Sequence, residues 1–269
     1  MKFKLFIFIF LFNKLIFSQN QIDKNKYDSI VANYLTIAKN NEVWDPEPTI
    51  VKSGIFGSPP NDAIILFDGT DLSKWHHSVS KKPVEWILNE DKSMTVNLGS
   101  GSIETKFEHG SIQLHIEWKT PKIVTGEGQR RGNSGIYFQR RYEVQVLDSY
   151  NNRTYSNGQA GSIYKQNMPL VNASRPPGEW QVYDIVFNEP KYDDEGIQIK
   201  SGTFTIFHNG VLIQNKTKIL GTTSFIGMHE TNEDSFPLDG QKGGTHRALL
   251  LQDHGDGKVS YRNIWMRKL

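Results

Sequence analysis

From Arg131 to Tyr150 the chain reads RGNSGIYFQRRYEVQVLDSY, and this stretch holds the residues best suited to chemistry. With the period of two that a strand imposes, Arg141, Glu143 and Gln145 fall on one side and Tyr142, Val144 and Val146 on the other. Just before them Tyr137 and Gln139 share a face, and Asp148 closes the run. A carboxylate can take a proton. Amides and guanidinium groups hold hydroxyls, and an aromatic ring accepts the apolar face of a sugar. The same residues also describe a sheet face turned to water, and alternation alone does not separate the two.

A second candidate is SIQLHIEWK, Ser111 to Lys119, where Leu114, Ile116 and Trp118 point one way and His115 and Glu117 the other. If this strand neighbours the two above, His115, Glu117, Tyr137, Gln139, Arg141, Glu143 and Gln145 make one polar and aromatic face. In RGNSG the glycines Gly132 and Gly135 permit close backbone approach, and Asn133 and Ser134 would stand at the rim. Arg175 lies in the rigid loop NASRPPGEW, where it reads equally as a ligand contact or as surface. Near the end of the chain, LLLQDHGDGKVSYRN brings Gln252, His254, Arg262 and Asn263. A histidine between two aspartates suits a base, a metal ligand or a turn, and DHGDG lacks the spacing of an EF-hand loop.

Glu117 and Glu143 also raise the possibility of a glycosidase carboxylate pair. Such pairs stand about 5–5.5 Å apart in retaining enzymes and about 6.5–9.5 Å in inverting ones. The Glu-x-Asp-x-x-Glu strand of laminarinase-type sandwich enzymes is absent. The comparable strand is YEVQVLDS, with one glutamate and a glutamine.

The elements that must position these residues are strands. Ile64–Phe67 ends at the turn Asp68-Gly69, and Glu85–Leu88 and Met94–Asn97 read as a hairpin. Ser111–Lys119, Ile136–Gln139, Tyr142–Leu147 and Trp180–Phe187 follow. Phe204–His208 and Val211–Gln214 flank a His208-Asn209-Gly210 turn, and Ala248–Gln252 and Ile264–Arg267 complete the set. Strands separated by turn signals, without helical intervals, predict an all-β sandwich or barrel. The spacing of apolar residues predicts one helix over Asp23–Asn40, followed by a Pro/Gly-rich strap to Asp62. The compact domain is expected from Ala63 to Leu269.

Lys2 and Lys4 precede an apolar run, Leu5 to Phe12, and Ser18 is small, which is the pattern of a secretory signal peptide over residues 1–18. That run is shorter than the roughly 20 residues a membrane helix needs, so no membrane span is expected once it is removed. Periplasmic or extracellular location follows as an expectation. Loss of Lys2, Lys4 and Lys14 with that segment turns a formal net charge of +2 into −1. No basic stripe remains to bind nucleic acid. The absence of cysteine excludes disulfides and a thiol nucleophile.

LFDGTDLSKW (66–75), GNSGIYFQRRYEVQVLDSY (132–150), GSIYKQNMPLVNASRPPGEWQVYDIVF (161–187), HNGVLI (208–213) and the C-terminal LLLQDHGDGKVSYRNIWMRKL resemble, in that order, the 3-keto-disaccharide hydrolase family of Bacteroidetes-type bacteria. The resemblance covers about Ala63 to Leu269. It implies a concanavalin A-like jelly roll of two antiparallel sheets, one of them concave. It also implies action on glycosides already oxidised to a ketone at the third sugar carbon. The ketone acidifies the neighbouring C2 hydrogen. A base removes it, the enolate expels the anomeric substituent, and water adds back, with net hydrolysis. That chemistry needs one base and electrophilic help for the enolate oxygen.

On that footing Glu143 is the first candidate for base or metal ligand, and His254 the second for base, acid or ligand. Asn133, Gln145, Gln252 and Arg262 are candidates to hold hydroxyls or the enolate oxygen. Tyr137, Gln139, Arg141, Asp148 and Arg175 are further substrate contacts. His115 and Glu117 would complete a divalent metal site with Glu143. Two other classes stay open at this point: a non-catalytic carbohydrate-binding module of the same fold, and a structural or adhesion sandwich.

Overall fold

The computed structural model describes residues 24–55, 57–193, 195, 198–227 and 247–269. The expected signal peptide lies outside them. The chain divides into two units, Met1–Ile50 and Val51–Leu269. In the first, helix α1 spans Lys24–Asn40, as its apolar spacing predicts, and none of its residues is buried. The division puts residues 51–62, the second half of the predicted strap, with the sandwich. Among the described residues no helix is long and apolar enough to cross a membrane.

The second unit is built from strands, in chain order β1 (Ile64–Phe67), β2 (Trp75–His77), β3 (Ile87–Leu88), β4 (Met94–Thr95), β5 (Ile103–His109), β6 (Ile112–Lys119), β7 (Ser134–Phe138), β8 (Tyr142–Val146), β9 (Gln181–Asn188), β10 (Lys191–Tyr192), β11 (Gln198–Lys200), β12 (Thr203–His208), β13 (Val211–Lys218), β14 (Arg247–Leu251) and β15 (Ser260–Lys268). One large sheet runs β13-β12-β9-β6-β15-β4-β3, with β1 also on β15, the other large sheet runs β2-β5-β14-β7-β8, and β10 and β11 pair as a small antiparallel ribbon. Every pairing is antiparallel. The fold is an all-β sandwich, one of the two architectures the strand pattern predicts, and of the jelly-roll type that the resemblance implies.

Alternation explains the core. Leu114, Ile116 and Trp118 of the first sheet and Ile136, Phe138, Val144 and Val146 of the second are all buried in one apolar cluster. Their strand neighbours therefore face outward, away from that core. Strands β2, β5, β10 and β11 escaped the sequence reading, and β15 was read only in its second half. In β5 (IETKFEH) polar residues sit at positions that are nonetheless buried, Glu104 and Thr105 among them. In β15 the apolar run is broken at Asn263, which adopts φ 47° where the register with β6 shifts. This bulge carries the strand on to Ser260, well before the expected Ile264.

Two hydroxyls cross the core to the second sheet. Tyr183 of β9 donates to the Gln145 carbonyl (3.0 Å). Tyr261 of β15 donates to Ser134 Oγ (2.7 Å), which in turn donates to the Gln252 carbonyl (2.6 Å). They tie the first sheet to β7, to β8 and to the residue that follows β14, where the site forms.

Candidate active site

Strand β8 is the last of its sheet, so one side of its backbone would face solvent unpaired. Two loops satisfy it. Glu143 N–H donates to Thr223 Oγ1 (3.0 Å), and the Glu143 carbonyl accepts from Tyr164 N–H (3.1 Å). Gln145 N–H donates to the Ser162 carbonyl (3.0 Å), and its carbonyl accepts from Gly161 N–H (2.9 Å). The carboxylate strand is thereby held from below by the Tyr183 hydroxyl and from the side by loops.

Register then sets the outward face. Tyr137 pairs with Glu143 and Gly135 with Gln145. The Glu143 carboxyl lies over Gly135: a Cβ placed there would stand 2.3 Å from Glu143 Oε1 and 2.8 Å from the Tyr137 ring. Gly135 is required by close approach, which the sequence suggests through RGNSG. Around this pair is a hollow of about 110 Å³, to which Asn133, Gln145, Gln252 and His254 also contribute.

Glu143 is 5% exposed. Burial raises its pKa to about 8, a rise that the hydrogen bond with the Tyr137 phenol only partly opposes. Burial and the Glu143 charge push the Tyr137 phenol up as well, so it stays a donor. Gln252 Nε2 donates to the Tyr137 oxygen (3.2 Å), while Gln252 Oε1 is buried without a partner among the described residues. The Gln145 amide has oxygens on both sides. Gln129 Oε1 stands at 3.0 Å on one. The Ser134 carbonyl at 3.0 Å and Glu143 Oε1 at 3.1 Å stand on the other. With its nitrogen toward the latter pair it donates to both. Turned the other way it donates to Gln129 and offers its oxygen to the proton of a neutral Glu143. His254 stands at the rim, its side chain 37% exposed and 3.1 Å from Asp256.

Six of the predicted residues, Glu143, Tyr137, Gln145, Asn133, Gln252 and His254, are thus brought together. Others are not. Gln139 is buried in the β7–β8 turn, donating to the His109 carbonyl and to Glu189. Arg141 is also buried there, its guanidinium beside the Tyr142 phenol. Asp148 accepts from Arg131 Nε (2.7 Å), and Arg175 donates to the Trp180 carbonyl (2.9 Å).

The single polar face expected from His115 to Gln145 does not exist, because β6 and β8 belong to different sheets and their polar residues point outward on opposite sides of the core. The proposed metal set His115, Glu117 and Glu143 is therefore not assembled, and among the described residues no group of three or more His, Asp or Glu side chains is placed to hold a metal. His115 Nδ1 instead donates to Asp184 (2.6 Å) and its ring stacks on Trp265. Burial alone would lower the His115 pKa, but hydrogen bonds to Asp184 and Glu117 raise it to about 9. Arg262 likewise leaves the predicted site: its Nε donates to Glu117 (2.6 Å) and its guanidinium covers the Trp180 ring. Burial would raise the Glu117 pKa, but His115, Asn263 and Arg262 bring it down to about 2. Gly57 of the strap seals this face, its carbonyl accepting from Asn263 Nδ2 and Trp265 Nε1, both at 3.0 Å.

The Glu117–Glu143 glycosidase pair fails for the same reason. Another carboxylate does share the outward face of Glu143. Along one transverse row Glu143 faces Tyr137, Tyr137 faces Leu250, and Leu250 faces Glu104. Three strand spacings separate their backbones by roughly 14 Å. Glu104 is moreover committed to His76 (2.9 Å), Arg140 (3.3 Å) and Lys81.

Tyr164, Thr223 and Phe225 also line the hollow, and sequence reasoning did not single them out. Tyr164 lies within GSIYKQN, so the family-like motif was the available signal. Thr223 and Phe225 sit in an aperiodic loop that offers none.

Comparison with known proteins agrees with this architecture. A family model described as a 3-keto-alpha-glucoside-1,2-lyase-like domain matches residues 62–267. A candidate glycosyl hydrolase of known structure from Parabacteroides distasonis is 46% identical, with a TM-score of 0.77 over 86% of this chain and 96% of that one. A second from the same organism, 20% identical with a TM-score of 0.53, covers 77% of this chain and 94% of that one. A third, 22% identical with a TM-score of 0.52, covers 78% and 100%. The last two share the fold alone. No curated protein matches the chain.

Proposed function

The chain belongs to the 3-keto-alpha-glucoside-1,2-lyase-like family of carbohydrate-active proteins, and from that premise we propose that it cleaves glycosides whose sugar carries a ketone at the third carbon, by elimination followed by hydration. The observation that carries this reading is the buried Glu143 carboxyl, the one acidic side chain lining the hollow among the described residues, while Glu104 of the same sheet face is held by His76, Arg140 and Lys81.

In this mechanism ionised Glu143 takes the proton from C2. The electron pair moves into the ketone, whose oxygen becomes an enolate accepting from the Tyr137 phenol. Gln252 Nε2 supports the phenol oxygen as charge develops. The enolate reforms the ketone and expels the anomeric oxygen, which takes a proton from His254 at the rim. Water then adds across C1 and C2: its hydroxyl goes to C1, its remaining proton restores His254, and Glu143 returns its proton to C2. Gln145 and Asn133 hold ring hydroxyls. A base with a pKa near 8 can both take and return a proton near neutral pH. The signal-like residues 1–18 support a site of action in the periplasm or outside the cell.

The test is to incubate the protein with a 3-keto-glucoside and with its unoxidised parent, with and without EDTA. Release from the keto sugar only, lost by roughly a hundredfold or more in Glu143→Gln with the fold intact, is expected. Equal release from the parent glycoside, or normal turnover by the variant, sinks the reading. Loss of activity with EDTA would bring back a metal that the predicted ligand set does not supply. Saturable glycan binding without cleavage would instead make the chain a binding module.

A further inference from the structure

The hollow around Glu143 has a volume of about 110 Å³. Sites that enclose a small-molecule ligand run to roughly 300–1,000 Å³. A disaccharide therefore does not fit inside it. In the proposed reaction C2 must reach Glu143, so the oxidised ring enters and the leaving group stays outside, over the rim.

What the rim offers there is aromatic. Phe225 lines the hollow and is 80% exposed, so most of its ring is open to whatever approaches the mouth of the site. It is also held in place. Two residues before it, Thr223 Oγ1 accepts from the Glu143 N–H and donates to the Arg141 carbonyl (2.8 Å). At the start of the loop Gln166 grips the Leu220 N–H (2.9 Å) and the Gly221 carbonyl (2.7 Å). Beside it Lys165 Nζ stands 5.8 Å from the Phe225 ring and 4.0 Å from that of Tyr155, whose hydroxyl meets Tyr164 (2.7 Å). The exposed ring is thus tied through one threonine to the strand that carries the carboxyl.

Resting on the function proposed above, we infer that Phe225 is the leaving-group platform: it stacks on a flat apolar ring face, either the face of a second pyranose or that of an aryl aglycone, and so sets which glycosides are accepted. It takes no part in proton transfer.

The test compares wild type with Phe225→Ala and Phe225→Trp on three substrates: methyl 3-keto-glucoside, a 3-keto-disaccharide and nitrophenyl 3-keto-glucoside. A ring stacked on an aromatic contributes enough for roughly a three- to tenfold effect. Phe225→Ala should raise KM by that factor for a ring-bearing leaving group, leave kcat/KM for the methyl glycoside unchanged, and be rescued by Phe225→Trp. A loss confined to the disaccharide names a sugar as the occupant, and one confined to the nitrophenyl substrate names an aryl group. Equal loss on all three substrates, or no change on any, overturns the platform. If wild type cleaves none, the proposed reaction fails by itself. Calorimetric titration with methyl and nitrophenyl glucosides then decides the platform: tighter binding of the nitrophenyl ligand, abolished in Phe225→Ala, supports it, and equal or absent binding overturns it.

Discussion

At the scale of the residue, Glu143 sits in a chemical conflict. Burial favours its neutral form, while the proposed reaction needs its anion. With a pKa of about 8 in the folded protein, and with removal of the C2 proton limiting the rate, kcat/KM for the keto glycoside should rise about tenfold per pH unit below pH 8. A profile flat from pH 6 to 9 would remove Glu143 as the base. The same shift has a thermodynamic sign. The folded state holds this proton up to about pH 8 and the unfolded chain releases it near 4.5, so stability falls as pH rises between those values. Glu143→Gln should therefore melt higher than wild type at pH 9, by on the order of 5 °C, and at the same temperature at pH 4. An equal difference at both pH values would mean that the substitution acts through packing instead.

At the scale of the element, the hairpin β7–β8 does the positioning. A Cβ at Gly135 would overlap the Glu143 carboxyl. Gly135→Ala is expected to lower kcat by about a hundredfold through displacement of that group, with circular dichroism unchanged. Near-normal kcat would show that the carboxyl has room to move. The hairpin also shows what a sequence discloses. Alternation in IYFQRRYEVQV places Tyr137, Glu143 and Gln145 on one face, and the structure keeps them there. The same alternation in LHIEW puts His115 and Glu117 on a polar face, and that is also true. But a period of two states only that a residue faces away from the core. It carries nothing about which sheet a strand joins, so two faces on opposite sides of the molecule read as one. Arg141 fails differently: its parity matches that of Glu143, yet at the turn its side chain runs toward Tyr142 instead of the hollow. His254 was legible because DHGDG is a chemically unusual string, whereas Thr223 and Phe225 have only spatial meaning.

At the scale of the whole molecule, the two outward faces have different work. One holds the hollow. The other holds His115, Glu117, Asp184 and Arg262 beneath the Gly57 strap. There the raised His115 pKa contributes stability that is complete below about 6.5 and lost as pH climbs through 9. The lowered Glu117 pKa contributes stability complete above about 4.5 and lost as pH falls toward 2. Both are intact only between about pH 4.5 and 6.5. The melting deficit of Glu117→Gln should be greatest in that window, about 3 °C, and shrink on either side. A deficit independent of pH would reduce the cluster to simple contact.

The sheet edge at β8 has one more implication. The carboxyl strand is completed by two connecting segments, one bringing Tyr164 and the other Thr223 and Phe225. Connections of this kind accept insertions and exchanges that a packed sheet does not. Descendants of this chain have a short route to new specificities: replace the tip around Phe225, keep the threonine that meets Glu143, and the proton-handling centre passes unaltered from one glycoside to the next.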